Sequence, residues 1–426
     1  MKIKRFISLV LLLYINSIDT NAQDSIKQKL IDKKNQFHDG LVHLKRDLHQ
    51  HPELSGKEKR TSKIVQDYLL DLGLEVRTDF GGYSVVGILK GSKEGKKIAW
   101  RADMDAALHV FGSNPNAKPK AAHVCGHDIH TTIGLGIANT LSKMKDRMIG
   151  TVYFIFQPAE ETFKGAKSMI ENGLFQEIHP DEIFGLHVFP TEVGTVSSKP
   201  NELFAYQRRI KLTFDTTIDQ NAFRKFLKEL LEGFIRHKAN GEPWSLVDLN
   251  DPKYGLSNPK TIYNDYFILG SNISTRNGDN TISFECTYYE TDSTRLDSIS
   301  KTITNTILDS EYAKFYIKTS FTAERPTVLN DSKLTEESLT ILKGLYGEEK
   351  VKTFYGQIPY SNEDFIFYQN EVPGVMFLLG GSNKEKGINA LPHTSEFEVD
   401  EEVIPLGVNI FSNFLTKRII INFDKS

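Results

Sequence analysis

The chain is short of cysteine. Only two occur in 426 residues, Cys125 and Cys286, too few for a scaffold stapled by several disulfides. Charge of one sign is also lacking: 52 Lys and Arg stand against 55 Asp and Glu, a formal net charge of −3. The two signs are interspersed, with no basic stripe and no acidic tail, which argues against nucleic acid or another polyanion as partner. Beyond the N-terminus there is no apolar run long enough to read as a membrane span. Internal repeats and low-complexity tracts are missing too, which sets repeat architectures aside.

What is present suits an ordinary globular protein, with 39% hydrophobic and 25% charged residues. The length favours two domains, because single cores seldom grow past roughly 250–300 residues. The opening "MKIKRFISLVLLLYINSIDTNAQDS" places Lys2, Lys4 and Arg5 before the apolar run Phe6 to Ile15 and then Thr20-Asn21-Ala22. That order reads as a secretory signal peptide over residues 1–22, cut near Ala22, and predicts a periplasmic or secreted protein. The other reading is an uncleaved anchor, but the run is shorter than the roughly 20 residues that cross a bilayer.

From about residue 24 to 75 the apolar spacing is helical. Strand-like runs follow, "YSVVGILK", "KIAWRADM", "TVYFIFQP" and "EIFGLHVFP", with helical segments such as "HTTIGLGIANTLSKMK" between them. This alternation predicts an α/β fold with a mixed, mainly parallel sheet covered on both faces. In such sheets ligands bind beyond the carboxyl ends of the strands, where "RADMD", "QPAEE" and "LHVFP" fall. Residues 206–322 read as strand, helix, strand, strand, helix, strand, an inserted ferredoxin-like α+β module. Segments 23–205 and 323–426 then form the larger domain around it.

The segment "AAHVCGHDIHTT" sets Cys125 among three histidines. A thiolate two residues from His127 suits a metal ion, whereas a disulfide to Cys286 is the other reading. "QPAEE" delivers the adjacent carboxylates Glu160 and Glu161 at a strand end. One can bind a metal while the other faces water, although carboxylates also favour helix starts. His187 in "FGLHVFP" is either a ligand or a hydrogen-bonded core residue, and His393 in "ALPHTSEF" is uninformative alone.

Taken in order, "RDLHQHPELSGKE", "RADMDA", "HVCGHDIHTTIGLG", "QPAEETFKGAKSMIENGLF", "GLHVFP", "NEDFIFYQNEVPGVMFLLGG" and "LPHTSEFEVDEEVIPLGV" resemble the motifs of one family. It is the peptidase-type metal-dependent amidohydrolase family, which includes hippurate hydrolase, auxin-conjugate hydrolases and N-acyl-amino-acid amidohydrolases. The resemblance covers almost all of the chain after the N-terminal segment except the middle of the inserted module. It implies a zinc-exopeptidase-like catalytic domain, with residues 206–322 as a lid or dimerisation module. It further implies two divalent metal ions, zinc or manganese with cobalt or nickel compatible, held by Cys125, His127, Glu161, His187 and His393. Cys125 matches the position at or between the metals, Glu160 the general base, and Asp103 a carboxylate that orients a ligand. Asp128 and His130 match neighbours that shape the loop, and His49, His51 and Glu53 a structural motif. Asn362, Glu363 and Asp364 match the rim of the site. The implied reaction is hydrolysis of an N-acyl amino acid or short peptide by a metal-activated water, in a protein that forms homodimers.

The pattern breaks in the module. The family carries a Gly-Gly-His…Pro-His stretch where this chain reads "IKLTFDTTIDQNAFRKFL", without histidine. His237 follows at the end of the next helix, and Arg276 and Arg295 are the arginines nearest a second family position. The region after "RADMDA" also departs from the pattern, reading "ALHVFGSNPNAKPKAAH". The readings to be separated are an N-acyl-amino-acid amidohydrolase, a non-catalytic metal-binding relative, and an exopeptidase.

Overall fold

The computed structural model of the chain describes residues 32–110, 118–236, 246–270 and 272–421. The expected signal segment lies outside the described residues.

Helices α1 (residues 32–50) and α2 (Lys59–Asp71) lead into β1 (Glu75–Arg77), β2 (Val85–Lys90) and β3 (Lys93–Asp103). An antiparallel pair, β4 (Ala107–His109) and β5 (Lys120–Ala122), precedes α3 (His127–Ser142) and β6 (Met148–Gln157). Short helices α4 (Gly165–Glu171) and α5 (Leu174–Glu177) come before β7 (Glu182–Glu192), β8 (Val196–Ser198) and β9 (Asn201–Glu202).

A second sheet is then built from β10 (Tyr206–Asp215), β11 (Phe267–Leu269), β12 (Ser274–Asn277), β13 (Thr281–Glu290) and β14 (Tyr316–Arg325). Helix α6 (Gln220–Glu232) follows β10, the short α7 (Leu246–Leu249) precedes β11, and α8 (Leu296–Leu308) joins β13 to β14. The strands lie in the order β11-β13-β10-β14, all antiparallel, with β12 also on β13. That is the order of a split strand-helix-strand unit. Asp219 starts α6 by accepting the N–H groups of Asn221 and Ala222. Phe223, Leu227 and Leu231, four residues apart, are the buried stripe of that helix. Ile299, Ile303 and Ile307 do the same for α8.

The chain returns through β15 (Leu329–Asn330), α9 (Ser332–Tyr346), β16 (Val351–Thr353), α10 (Ile366–Gln369), β17 (Gly374–Ser382), α11 (Val403–Arg418) and β18 (Ile420–Ile421). The main sheet runs β1-β2-β6-β3-β7-β17-β8-β16, with β18 on β6. Its centre, β6-β3-β7-β17, is parallel, and its β1–β2–β6 margin is antiparallel. Because β17 pairs with β7, the segments on either side of the second sheet in the sequence share one main sheet.

Alternate residues of the central strands feed two cores. Trp100, Phe154, Phe156 and Phe377 pack with Ile133, Phe411 and Phe414 on one face. Ala99, Ile155, Ile183 and Met376 pack with Met169 and Tyr368 on the other. Burial on both faces explains why these strands read as continuous apolar runs. None of the helices among the described residues is long and apolar enough to cross a membrane.

Candidate metal centre

Strands β3 and β6 end side by side, with Asp103 opposite Gln157. Pairing of β3 with β7 stops at Gly185, so His187 lies beyond the last residue paired with β3. The loop carrying Cys125 enters this gap through Gly126, whose φ is 90°. A Cβ there would stand 2.4 Å from Val188 Cγ2, so the close approach to β7 requires glycine. Cys125 Sγ thereby reaches 3.2 Å from His187 Nε2. His187 Nδ1 is occupied by the Val188 carbonyl at 2.7 Å, which turns Nε2 towards the thiol.

His127 opens α3, with Nδ1 3.2 Å from Asp105 Oδ1 and a buried Nε2 that has no hydrogen-bond partner. Glu161 Oε1 is likewise buried without a hydrogen bond, 3.6 Å from His393 Nε2. The His393 N–H donates to the Val124 carbonyl at 2.8 Å, which ties this late loop to the one holding Cys125. Non-glycine residues with positive φ gather here: Ala159 at 56°, Phe163 at 58°, Tyr360 at 58° and His393 at 60°. Backbone strain of this kind persists only where the surrounding structure over-determines it.

The donor atoms of Cys125, His127 and His187 lie within 4.8 Å of one another, and so do those of Cys125, Glu161 and His393. All five sequence-predicted ligands are therefore brought together as two groups sharing one sulfur. Glu160 joins His127 and Glu161 in a third such group. The donor set of thiolate, imidazole and carboxylate suits a zinc-like cation, and the orphaned Nε2 and Oε1 are atoms such an ion would satisfy.

Electrostatics agree with that fit. Burial, then Glu363, Asp364 and Glu161, pushes the Glu160 carboxyl well above its ordinary range. Burial also raises Glu161, to about 7, and drives the Cys125 thiol well up. Among the described residues, the one buried Lys or Arg side chain is Arg101. Added positive charge at the shared sulfur would stabilise every one of these anions.

The supporting groups divide differently from the sequence reading. Asp103 Oδ1 lies 2.7 Å from His130 Nδ1, and Asp103 Oδ2 accepts from Arg101 Nη1 at 2.7 Å. His130 Nε2 in turn accepts the Val188 N–H at 2.9 Å, so Asp103 fixes β7 through His130. Asp103 Oδ2 is 3.6 Å from His127 Nε2, while the hydrogen-bond partner of His127 Nδ1 is Asp105. Burial alone would raise Asp103, but Arg101, His127 and His130 outweigh it and hold the carboxyl well below its usual range.

Asp105 and Arg101 were missed from sequence, although "RADMD" places both at two-residue steps from Asp103. Arg101 also binds Gln157, Glu363 and Asp364, which draws the third chain region into the same lattice. Glu53 accepts the N–H groups of Arg60 and Thr61 at the start of α2, and His49 meets Asp128 at 2.8 Å, so both are structural. Cys125 and Cys286 are both free.

Cys125, Glu161, His187 and His393, with Glu160, open onto a cleft of about 790 Å³, and His127 lies buried behind them. The second sheet contributes Gln207, Arg209, Thr287, Tyr289 and Arg325 to its wall, and no histidine among the described residues. His237 lies outside the described residues. Arg276 and Arg295 do not line the cleft, and Arg295 instead meets Asp265 at 2.6 Å.

Residues 99–417 match Peptidase family M20/M25/M40. "Thermostable carboxypeptidase 1" of Saccharolobus solfataricus is 31% identical over 399 residues, 89% of this chain and 95% of that one. "IAA-amino acid hydrolase ILR1-like 4" of Arabidopsis thaliana is 28% identical over 439 residues, 98% of this chain and 96% of that one. Among solved structures, a dinuclear metal-binding M20 peptidase of Bacillus subtilis superposes with a TM-score of 0.66 at 24% identity. The match covers 89% of this chain and 98% of that one. With its main sheet, its donor cluster and this match over most of its length, the chain belongs to Peptidase family M20/M25/M40 and is a hydrolase of that family.

Proposed function

We propose that this protein is an exported metal-dependent amidohydrolase that cleaves the amide bond of N-acyl amino acids or similar small amides. Cys125, His127, Glu161, His187 and His393 would hold two divalent cations, zinc or manganese, with cobalt or nickel compatible. Such a pair supplies polarisation of the amide carbonyl and acidification of a water. The observation that carries the reading is the sharing of Cys125 Sγ between two donor groups.

The chain's own groups do the rest. Glu160 Oε2 lies 3.9 Å from His127 Nε2, at the buried end of the cleft. Its carboxylate takes a proton from the attacking water and returns it to the leaving nitrogen. Asp103 and Asp105 keep the imidazoles in place, and Phe189, Phe204 and Leu378 offer apolar wall for the acyl part. Export after cleavage near Ala22 and homodimerisation through residues 206–322 belong to the same reading.

Purified protein is assayed against hippurate-like, acetyl-amino-acid and dipeptide panels, with and without Mn²⁺ or Zn²⁺, beside Glu160→Gln. Wild type should release acid and amine, acyl amino acids ahead of dipeptides, and Glu160→Gln should lose on the order of 10²–10⁴ in turnover with its metal retained. Equally slow release by both proteins would make the chain a metal-binding relative without catalysis. N-terminal sequencing of the secreted or periplasmic fraction tests export, and sedimentation tests the dimer.

A further inference from the structure

On the reading just given, we propose that the preferred substrates are N-acyl derivatives of dicarboxylic amino acids, with Arg209 and Arg325 each receiving one carboxylate. Both side chains line the cleft onto which Cys125, Glu161, His187 and His393 open. Arg209 Nε donates to Thr287 Oγ1 at 3.1 Å, and Arg325 Nη1 donates to Asn362 Oδ1 at 2.6 Å. The Arg325 guanidinium also lies over the Phe163 ring, 4.4 Å from its centroid. These anchors are neutral.

Among the described residues neither arginine has a carboxylate within ion-pair distance, whereas Arg208 meets Glu324, and Arg236 and Arg295 both meet Asp265. A guanidinium aimed by a neutral oxygen keeps its charge for a ligand and spends little entropy on binding it.

The two cations occupy separate positions. Arg209 stands on β10 and leans to Thr287 on neighbouring β13, while Arg325 stands on β14, the neighbour on the other side of β10. Strands β13 and β14 are two spacings apart, roughly 10 Å. Between them Gln207 donates to Tyr289 Oη at 3.1 Å and accepts from Asn362 at 2.9 Å, so a neutral floor separates the arginines. On the proposed function the donor end of the cleft, with Cys125, Glu161, His187 and His393, takes the cations and the scissile amide. A dianionic leaving group is thereby held with its carboxylates towards the second sheet and its amide towards Glu160.

The test compares kcat/KM of the metal-loaded enzyme for N-acetylglutamate, N-acetylglutamine and N-acetylleucine, in wild type, Arg209→Met and Arg325→Met, with binding of glutarate against butyrate measured by calorimetry. The glutamate derivative should lead the glutamine derivative by on the order of tenfold or more. Each variant should bring that ratio towards one, mainly through KM, and Arg→Lys at each position should restore part of it. Equal turnover of the glutamate and glutamine derivatives, or a ratio indifferent to both variants, would overturn the proposal while leaving amidohydrolase activity intact. If no amide is cleaved, the functional reading fails and glutarate decides this one. Binding that weakens in both folded variants upholds it, and binding equal to wild type overturns it.

Discussion

Asp105 Oδ1 lies 3.2 Å from His127 Nδ1, while its other oxygen accepts the Glu161 N–H at 3.0 Å and the Ser55 hydroxyl at 2.6 Å. One buried carboxylate thus sets the ring of one donor and the backbone of another. Loss of such an outer partner lowers metal affinity by about 10–100-fold. Asp105→Ala should show that loss in chelator competition, with a near-native circular dichroism spectrum. Unchanged competition would mean that His127 is held by packing alone.

Cys125 belongs to both donor groups, so Cys125→Ser should empty both positions together. Metal content after dialysis, measured by elemental analysis, should fall towards zero per chain, not to half the wild-type value. Retention of half would assign the sulfur to one position only. Removing the metal from wild type should also lower its melting temperature, because a ligand that binds only the folded state stabilises it by mass action.

Gly165 closes the turn that presents Glu160 and Glu161, with its N–H on the Ala159 carbonyl at 3.1 Å. A Cβ at this position would stand 1.7 Å from the Pro158 carbonyl oxygen, a backbone atom with no room to retreat. Gly165→Ala should cost about 1–3 kcal/mol or more in urea unfolding and reduce metal content as the two carboxylates shift.

Asp400 caps the approach to α11, where Lys386 reaches its carboxylate at 2.9 Å and Asn383 donates to it at 2.6 Å. Burial alone would raise its pKa, but these two hydrogen bonds outweigh it and hold the carboxyl below the ordinary value of 3.8. The folded state therefore favours the ionised form. That stabilisation is complete above the unfolded value and disappears as pH falls through the lower folded one. Asp400→Asn should lower the urea midpoint at about pH 7, and the deficit should shrink at about pH 3. A deficit independent of pH would point to lost packing instead.

Residue chemistry and order were legible in the linear chain. Runs such as "TVYFIFQP" are apolar because both faces of the central strands are covered, so they read directly as buried strands and predict the α/β class. Cys125 with His127, and the pair Glu160–Glu161, stood out as candidate donors in a loop and at a strand end, whereas His187 and His393 entered the ligand set only through the family resemblance.

Which atoms meet was decided by tertiary structure. Whether Asp103 or Asp105 serves His127 depends on where β3 ends and how α3 enters, and both aspartates fit the same motif in one dimension. The partnership of Arg101 with Glu363 and Asp364 spans more than 260 positions and exists only because β3, β6 and β17 belong to one sheet. The sharing of Cys125, and the two arginines that wall the cleft, arise in the same way. Hydrogen-bond and ligand geometry is set over a few ångströms by strand register and loop entry, and segments distant in the chain acquire those only when the sheets form.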